Sequence, residues 1–130
     1  MKMDIDELIA VVKQSAKEVF KELGGGHSET VLEGSLEVEL ASRGIGPIFR
    51  QVPCPIYYKQ HPVGYGFLDI VVGDILVVEL KAQAGLAVKD EYQIRKYLNS
   101  LCIEDGLLIN FGLDKVTARS VSGHNCKESG

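Results

Sequence analysis

The chain has 130 residues, 45% of them hydrophobic and 25% charged, with a formal net charge of -4. Its length fits one domain with a sizeable core, expected over residues 1–121 with a flexible tail at 122–130. No run approaches the roughly 18 apolar residues of a membrane span, and the negative total excludes a surface that is basic throughout, while leaving room for a local basic groove.

The opening residues, Met1 to Asp4, lead into an acidic amphipathic helix without a signal-peptide core, so an intracellular protein is expected. From Asp4 to Leu23 the apolar positions Ile5, Leu8, Val12, Ala16, Val19 and Leu23 recur at helical spacing, and Gly24-Gly25-Gly26 ends the pattern. Ser28 is placed to N-cap a second helix, with Glu29 in its first turn, Arg43 in its last turn and Gly44 as the stop. After Gly46-Pro47 the texture becomes β: Ile48 to Val52, then Ile56 to Tyr58, with Pro53 and Pro55 marking an edge or bend and His61-Pro62 a turn. Gly66 to Val72 and Ile75 to Ala82 are apolar on both faces, as in central strands, and Gly73-Asp74 joins them as a hairpin.

A third helix is predicted from about Lys89 to Leu101, with Asp90 as its N-cap and Tyr92, Ile94, Tyr97, Leu98 and Leu101 inward. Leu107 to Phe111 and Val116 to Val121 follow as strands. This order predicts an α/β fold, a small mixed central sheet flanked by helices. Cys54, Cys102 and Cys126 are far apart and odd in number, which predicts structural free thiols rather than a disulfide framework or a zinc site.

Chemistry concentrates at Asp69 and at Glu79-Leu80-Lys81, charged positions at the ends of two apolar strands. An unpaired charge inside a sheet costs several kcal/mol or loses its ionisation, and a bound divalent cation would remove that cost. Glu79 and Lys81 share a face by strand alternation. A two-residue Gly73-Asp74 loop would turn Asp69 away from Glu79, whereas a three-residue loop reaching Ile75 would set it directly opposite. Two carboxylates completed by water and phosphate oxygens suit Mg²⁺ or Mn²⁺, with Lys81 orienting a water or stabilising charge on phosphorus. The competing structural reading is a buried ion-pair network.

These residues form a series: Gly66-Phe67-Leu68-Asp69, Glu79-Leu80-Lys81, and Gln93 with Tyr97 at i and i+4 on one helical face. The series resembles the motifs of the PD-(D/E)XK nuclease superfamily, particularly its RecB-like branch. With Gly26-His27-Ser28-Glu29 and the Gly106 to Gly112 segment it is similar to the small GxxExxY proteins. The resemblance spans about residues 5 to 112; Leu32 stands where that family has Tyr, and no proline precedes Asp69.

The resemblance implies a restriction-endonuclease-like αβββαβ core. It also implies metal held by Glu29, Asp69, Glu79 and the Leu80 carbonyl, with catalysis by Asp69, Glu79 and Lys81 and support from Gln93 and Tyr97. The expected activity is Mg²⁺- or Mn²⁺-dependent hydrolysis of DNA, or RNA, directed to ends or single strands, in repair, recombination or nucleic-acid processing. Lys89, Arg95 and Lys96 are candidate phosphate contacts, against the alternative of a solvated helix face. His27 is weighed as an extra ligand and set aside as a loop histidine. A third reading is a homodimer, in which a second copy would help a domain this small and acidic to hold DNA. The alternative function is an inactive nuclease-fold module that binds nucleic acid or a partner protein.

Overall fold

The computed structural model describes residues 3–123. Helix α1 (Ile5–Leu23) starts at Asp4, whose carboxylate accepts the Glu7 N–H at 2.8 Å, and ends at Gly24 with φ +74°. Helix α2 (Glu29–Ser42) starts where Ser28 Oγ accepts the Val31 N–H at 3.3 Å, as the sequence predicts. Arg43 is its C-cap rather than a last-turn residue, and Gly44 turns the chain with φ +76°. Both helices lay their apolar stripe on the sheet.

The sheet has the order β1-β2-β3-β4-β5, formed by β1 (Ile48–Tyr58), β2 (His61–Val72), β3 (Leu76–Lys81), β4 (Asp105–Phe111) and β5 (Val116–Ser122). Only the β3 to β4 pairing is parallel, and helix α3 (Val88–Leu101) makes that crossover. The result is the expected mixed sheet flanked by helices.

One cluster of buried residues joins α1 and α2 to Ile70, Val72, Leu76, Val78, Leu80, Leu107 and Ile109. A second, on the opposite face, joins Ile94 and Leu98 of α3 to Leu68, Val71, Val77, Leu108 and Val121. Leu32 lies in the first cluster, so here this position is a packing residue.

Several expectations are corrected. The two segments around Pro53 and Pro55 are one continuous strand at the sheet edge, where a missing N–H leaves no central ladder bond unmade. His61-Pro62 is not the turn: Lys59 and Gln60, with φ +47° and +70°, make it, and His61 pairs with Tyr58. Neither residue is of the Gly or Asn type that advertises positive φ. Asp90 is not the N-cap of α3 but its third residue, with its carboxylate reaching back to the Ala87 N–H at 2.8 Å. Tyr92 points outward and is exposed.

Cys54 is the buried free thiol expected, but Cys102 is disulfide-bonded, against expectation. An odd count also accommodates one pair plus one thiol, an option that spacing alone does not exclude. Cys126 lies outside the described residues. Ser122 closes β5 instead of opening a tail, and the expected tail from residue 124 onward lies outside the described residues.

Strand alternation reverses at one level of the β1-β2 hairpin. Ile48, Ile70 and Val72 pack with the α1/α2 cluster, whereas Val52 and Leu68, also even-numbered, pack with the α3 cluster. The reversal falls at Gln51, whose φ is +50°, and at Asp69 across from it. Beyond this level the hairpin continues as an arm past the last paired residues of β2 and β3, Ile70 and Val78.

Candidate active site

The hairpin between β2 and β3 has the three-residue form. Val72 pairs with Leu76, leaving Gly73-Asp74-Ile75 as the loop, with Gly73 at φ +59°. That register carries Asp69 opposite Glu79, the condition on which the sequence reading depended. The ladder stops one step earlier, and side chains fill the opening. The Asp69 N–H donates to Glu79 Oε1 at 3.0 Å, and the Leu80 N–H donates to Asp69 Oδ2 at 2.8 Å. Each carboxylate thus satisfies a backbone donor that strand pairing has left free.

Lys81 follows Glu79 on the α3 side of the sheet. Its Nζ lies 3.5 Å from Gln93 Oε1 and 4.0 Å from Asp90 Oδ1. Gln93 and Tyr97 share one face of α3, and Tyr97 lies against Gly66 of β2, where a Cβ would collide with the phenol ring and hydroxyl. Glycine at 66 is therefore a packing requirement. Glu29, first residue of α2, accepts the N–H of Ala82, just beyond β3, at 3.2 Å.

The electrostatics are dominated by crowded negative charge. Burial, the nearby Asp69 charge and, less strongly, Glu33 push Glu79 up to about 8, against the lowering effects of the Asp69 N–H and Lys81. Asp69 is also raised, first by burial and then by Glu33 and Glu29, with the Leu80 N–H and Lys81 opposing. Such a pair is short of positive charge. Asp90 is different: although burial works against its ionisation, the Ala87 N–H, the Gln83 amide, Lys81 and Lys89 hold its pKa low.

Sequence reading did not pick out Glu33, Arg50, Gln51, Gln83 or Asn110. Glu33, only 4% exposed, receives Arg50 Nε at 3.1 Å and the Gln51 amide at 3.1 and 3.0 Å on its two oxygens. The same Gln51 Nε2 lies 3.5 Å from Asp69 Oδ1, so Gln51 spans the gap between α2 and β2. Glu33 was accessible to reasoning, standing four residues after Glu29 and so on the same helical face. Asn110 braces the end of β3 by exchanging bonds with Gln83: its Oδ1 accepts the Gln83 N–H at 3.1 Å and its Nδ2 donates to the Gln83 carbonyl at 2.9 Å.

Of the predicted residues, Asp69, Glu79 and Lys81 come together, with Gln93 touching Lys81. Glu29 approaches the same end of β3 but is engaged with backbone. Among the described residues no three His, Cys, Asp or Glu side chains converge as a metal cage. The donors nonetheless fit a hard divalent cation in their chemistry: two carboxylates in need of positive charge, with the Leu80 carbonyl and Glu29 as further oxygens, suit an ion that keeps several waters. His27 is not among them; its Nε2 caps α1 by donating to the Leu23 carbonyl at 2.9 Å. Lys89 and Lys96 are exposed on α3, while Arg95 Nε turns to the Ser122 carbonyl of β5 at 3.3 Å.

A mixed sheet with two carboxylates and a lysine at the point where its central strands part defines a nuclease-type α/β fold. The same fold occurs in the crystal structure of SSO0001, with a TM-score of 0.59 over 95% of this chain and 80% of that one, at 14% sequence identity. No curated protein matches the chain. Residues 6–121 match the model of the PD-(D/E)XK nuclease superfamily, and the chain belongs to that superfamily. Membership carries the general expectation of a metal-dependent nuclease hydrolase. Among the described residues no helix is long and apolar enough to cross a membrane.

Proposed function

We propose that this protein is a Mg²⁺- or Mn²⁺-dependent nuclease that hydrolyses phosphodiester bonds in DNA, directed to ends or single strands, with its place in nucleic-acid repair, recombination or processing. The observation that carries this reading is the meeting of Asp69, Glu79 and Lys81 where β2 and β3 part, two carboxylates short of positive charge beside a lysine. Asp69, Glu79 and the Leu80 carbonyl would hold the ion, with Glu29 adding negative charge from the start of α2. When bound, the ion supplies a lowered pKa for water and neutralises charge on the phosphate.

The chain's own groups perform the remaining work. Lys81 Nζ, steadied by Gln93 Oε1, donates hydrogen bonds to the attacking water or to a non-bridging phosphate oxygen. Water oxygen bonds to phosphorus as the bond to the leaving ester oxygen breaks, the water's proton passing to solvent and the leaving oxygen taking one from solvent. Gln93 and Tyr97 position these groups from α3, with Tyr97 fixed by its seat on Gly66.

The test is cleavage of end-labelled linear single strands, linear duplex and circular DNA, with Mg²⁺, Mn²⁺ or EDTA, comparing wild type with Lys81→Ala. Metal-dependent cleavage lost in the variant supports the nuclease, and sparing of circles supports end-directed action. Failure of folded protein to cut any DNA or RNA would turn the reading to a binding module.

A further inference from the structure

Asp90 is buried more deeply, and bonded more fully, than the end of a helix requires. It is the third residue of α3 and only 3% exposed. Its Oδ2 alone serves the helix end, accepting the Ala87 N–H at 2.8 Å. The same oxygen accepts Gln83 Nε2 at 2.8 Å, and Asn110 of β4 pins the Gln83 backbone. A neutral acceptor would satisfy both N–H groups without the cost of burying a charge. The other oxygen, Oδ1, lies 4.0 Å from Lys81 Nζ.

We infer that Asp90 is a positioning residue for Lys81, holding the ammonium beside α3 where it meets the attacking water or the phosphate; the inference rests on the nuclease reading above. Asp90 is too buried to touch a phosphate itself, so it acts through the lysine. Lys81 is drawn two ways, toward Asp69 and Glu79 and toward Asp90. A divalent cation shared by Asp69 and Glu79 removes the first attraction and repels the ammonium, while Asp90 keeps its charge. Gln93 Oε1, at 3.5 Å, is a neutral acceptor and supplies direction without charge. A lysine has a long flexible stem, and an ammonium without a fixed anion samples many positions. Asp90 is such a fixed anion, because the bonds from Ala87 and Gln83 immobilise its carboxylate. A group displaced slightly from the reacting phosphate loses much of its effect on rate.

The test compares kcat and KM for DNA cleavage with Mg²⁺ in wild type, Asp90→Asn, Asp90→Glu, Lys81→Ala and the Lys81→Ala/Asp90→Asn double variant, and adds a crystal structure of the Asp90→Asn protein. Asparagine keeps the oxygen that Ala87 and Gln83 use and replaces Oδ1 by an NH₂ group, which repels the ammonium. Glutamate keeps the charge and suits the third position of a helix. The expected result is a kcat about tenfold lower in Asp90→Asn with KM within about twofold, and partial recovery in Asp90→Glu. Asp90→Asn should cause no further loss where Lys81 is already alanine. In the crystal, Lys81 Nζ should leave Gln93 while Gln83 and the start of α3 stay in place. An unchanged kcat, an equal loss in the Lys81→Ala background, or an unmoved Lys81 would overturn the inference. So would an Asp90→Asn protein that is unfolded in urea titrations or has a displaced α3, because Asp90 would then be a structural residue alone. If wild type cuts no nucleic acid the nuclease reading falls by itself, and the crystal structure decides whether Asp90 places Lys81.

Discussion

Asp69 and Glu79 are joined by a side chain standing in for a strand bond: the Asp69 N–H donates to Glu79 Oε1 at 3.0 Å, at the level where the β2-β3 ladder ends. The same opening lets Asp69 Oδ2 take the Leu80 N–H at 2.8 Å. The carboxylates are thus held by backbone donors, and their positions depend little on side-chain freedom.

Glu79 makes the cation-free protein sensitive to alkali. Its pKa is about 8 folded against 4.5 for an ordinary glutamate, so between those values the native state binds more protons than the unfolded one. Stability is therefore expected to be full below about 4.5 and to fall as pH rises through 8, by on the order of 5 kcal/mol. Urea unfolding in EDTA across this range checks it, and Glu79→Gln should flatten the dependence. Added Mg²⁺ should stabilise most at the alkaline end, where the carboxylates are ionised.

Lys81→Ala should lower the cleavage rate by about 100-fold or more while changing stability by less than about 1 kcal/mol. Its two contacts are long, at 3.5 and 4.0 Å, and neither anchors the core. Parallel rate measurements and urea curves separate the two effects.

Gly66→Ala should cost about 2 kcal/mol, because its Cβ collides with Tyr97. Adding Tyr97→Leu should recover part of that loss, so the double variant would be more stable than the two single costs sum to. Additive losses in urea unfolding would show that the clash is not the cause.

Gln51 offers a test of backbone against side chain. Gln51→Gly relieves the φ of +50°, and Gln51→Ala does not, so the glycine variant should be the more stable by about 1 kcal/mol. Both remove the amide that bridges Glu33 and Asp69, and both should weaken Mn²⁺ binding, measurable by paramagnetic resonance.

Periodicity made the helices and central strands legible, because α1, α2 and β3 bury the residues whose spacing announces them. The pairing of Asp69 with Glu79 was legible only as a condition on loop length, since Gly73-Asp74 is compatible with two hairpins. Gln51 was not legible: glutamine gives no hint of a left-handed backbone, and tertiary bonds to Glu33 hold it there. Tyr92 misled because an aromatic near a buried stripe reads as inward until packing decides. Asp90 misled because N-cap and third-residue carboxylates satisfy the same end of a helix.

The reversal of alternation at Gln51 and Asp69 also divides the hairpin into two parts with separate obligations. Below it, strand phase is bound to the carboxylates and the helices; above it, phase is bound only to α3 and to the turn at Lys59-Gln60. Adding or removing two residues on each strand near that turn keeps every side chain on its face. The arm can therefore be lengthened or shortened in pairs of residues while the end that carries Asp69 stays fixed.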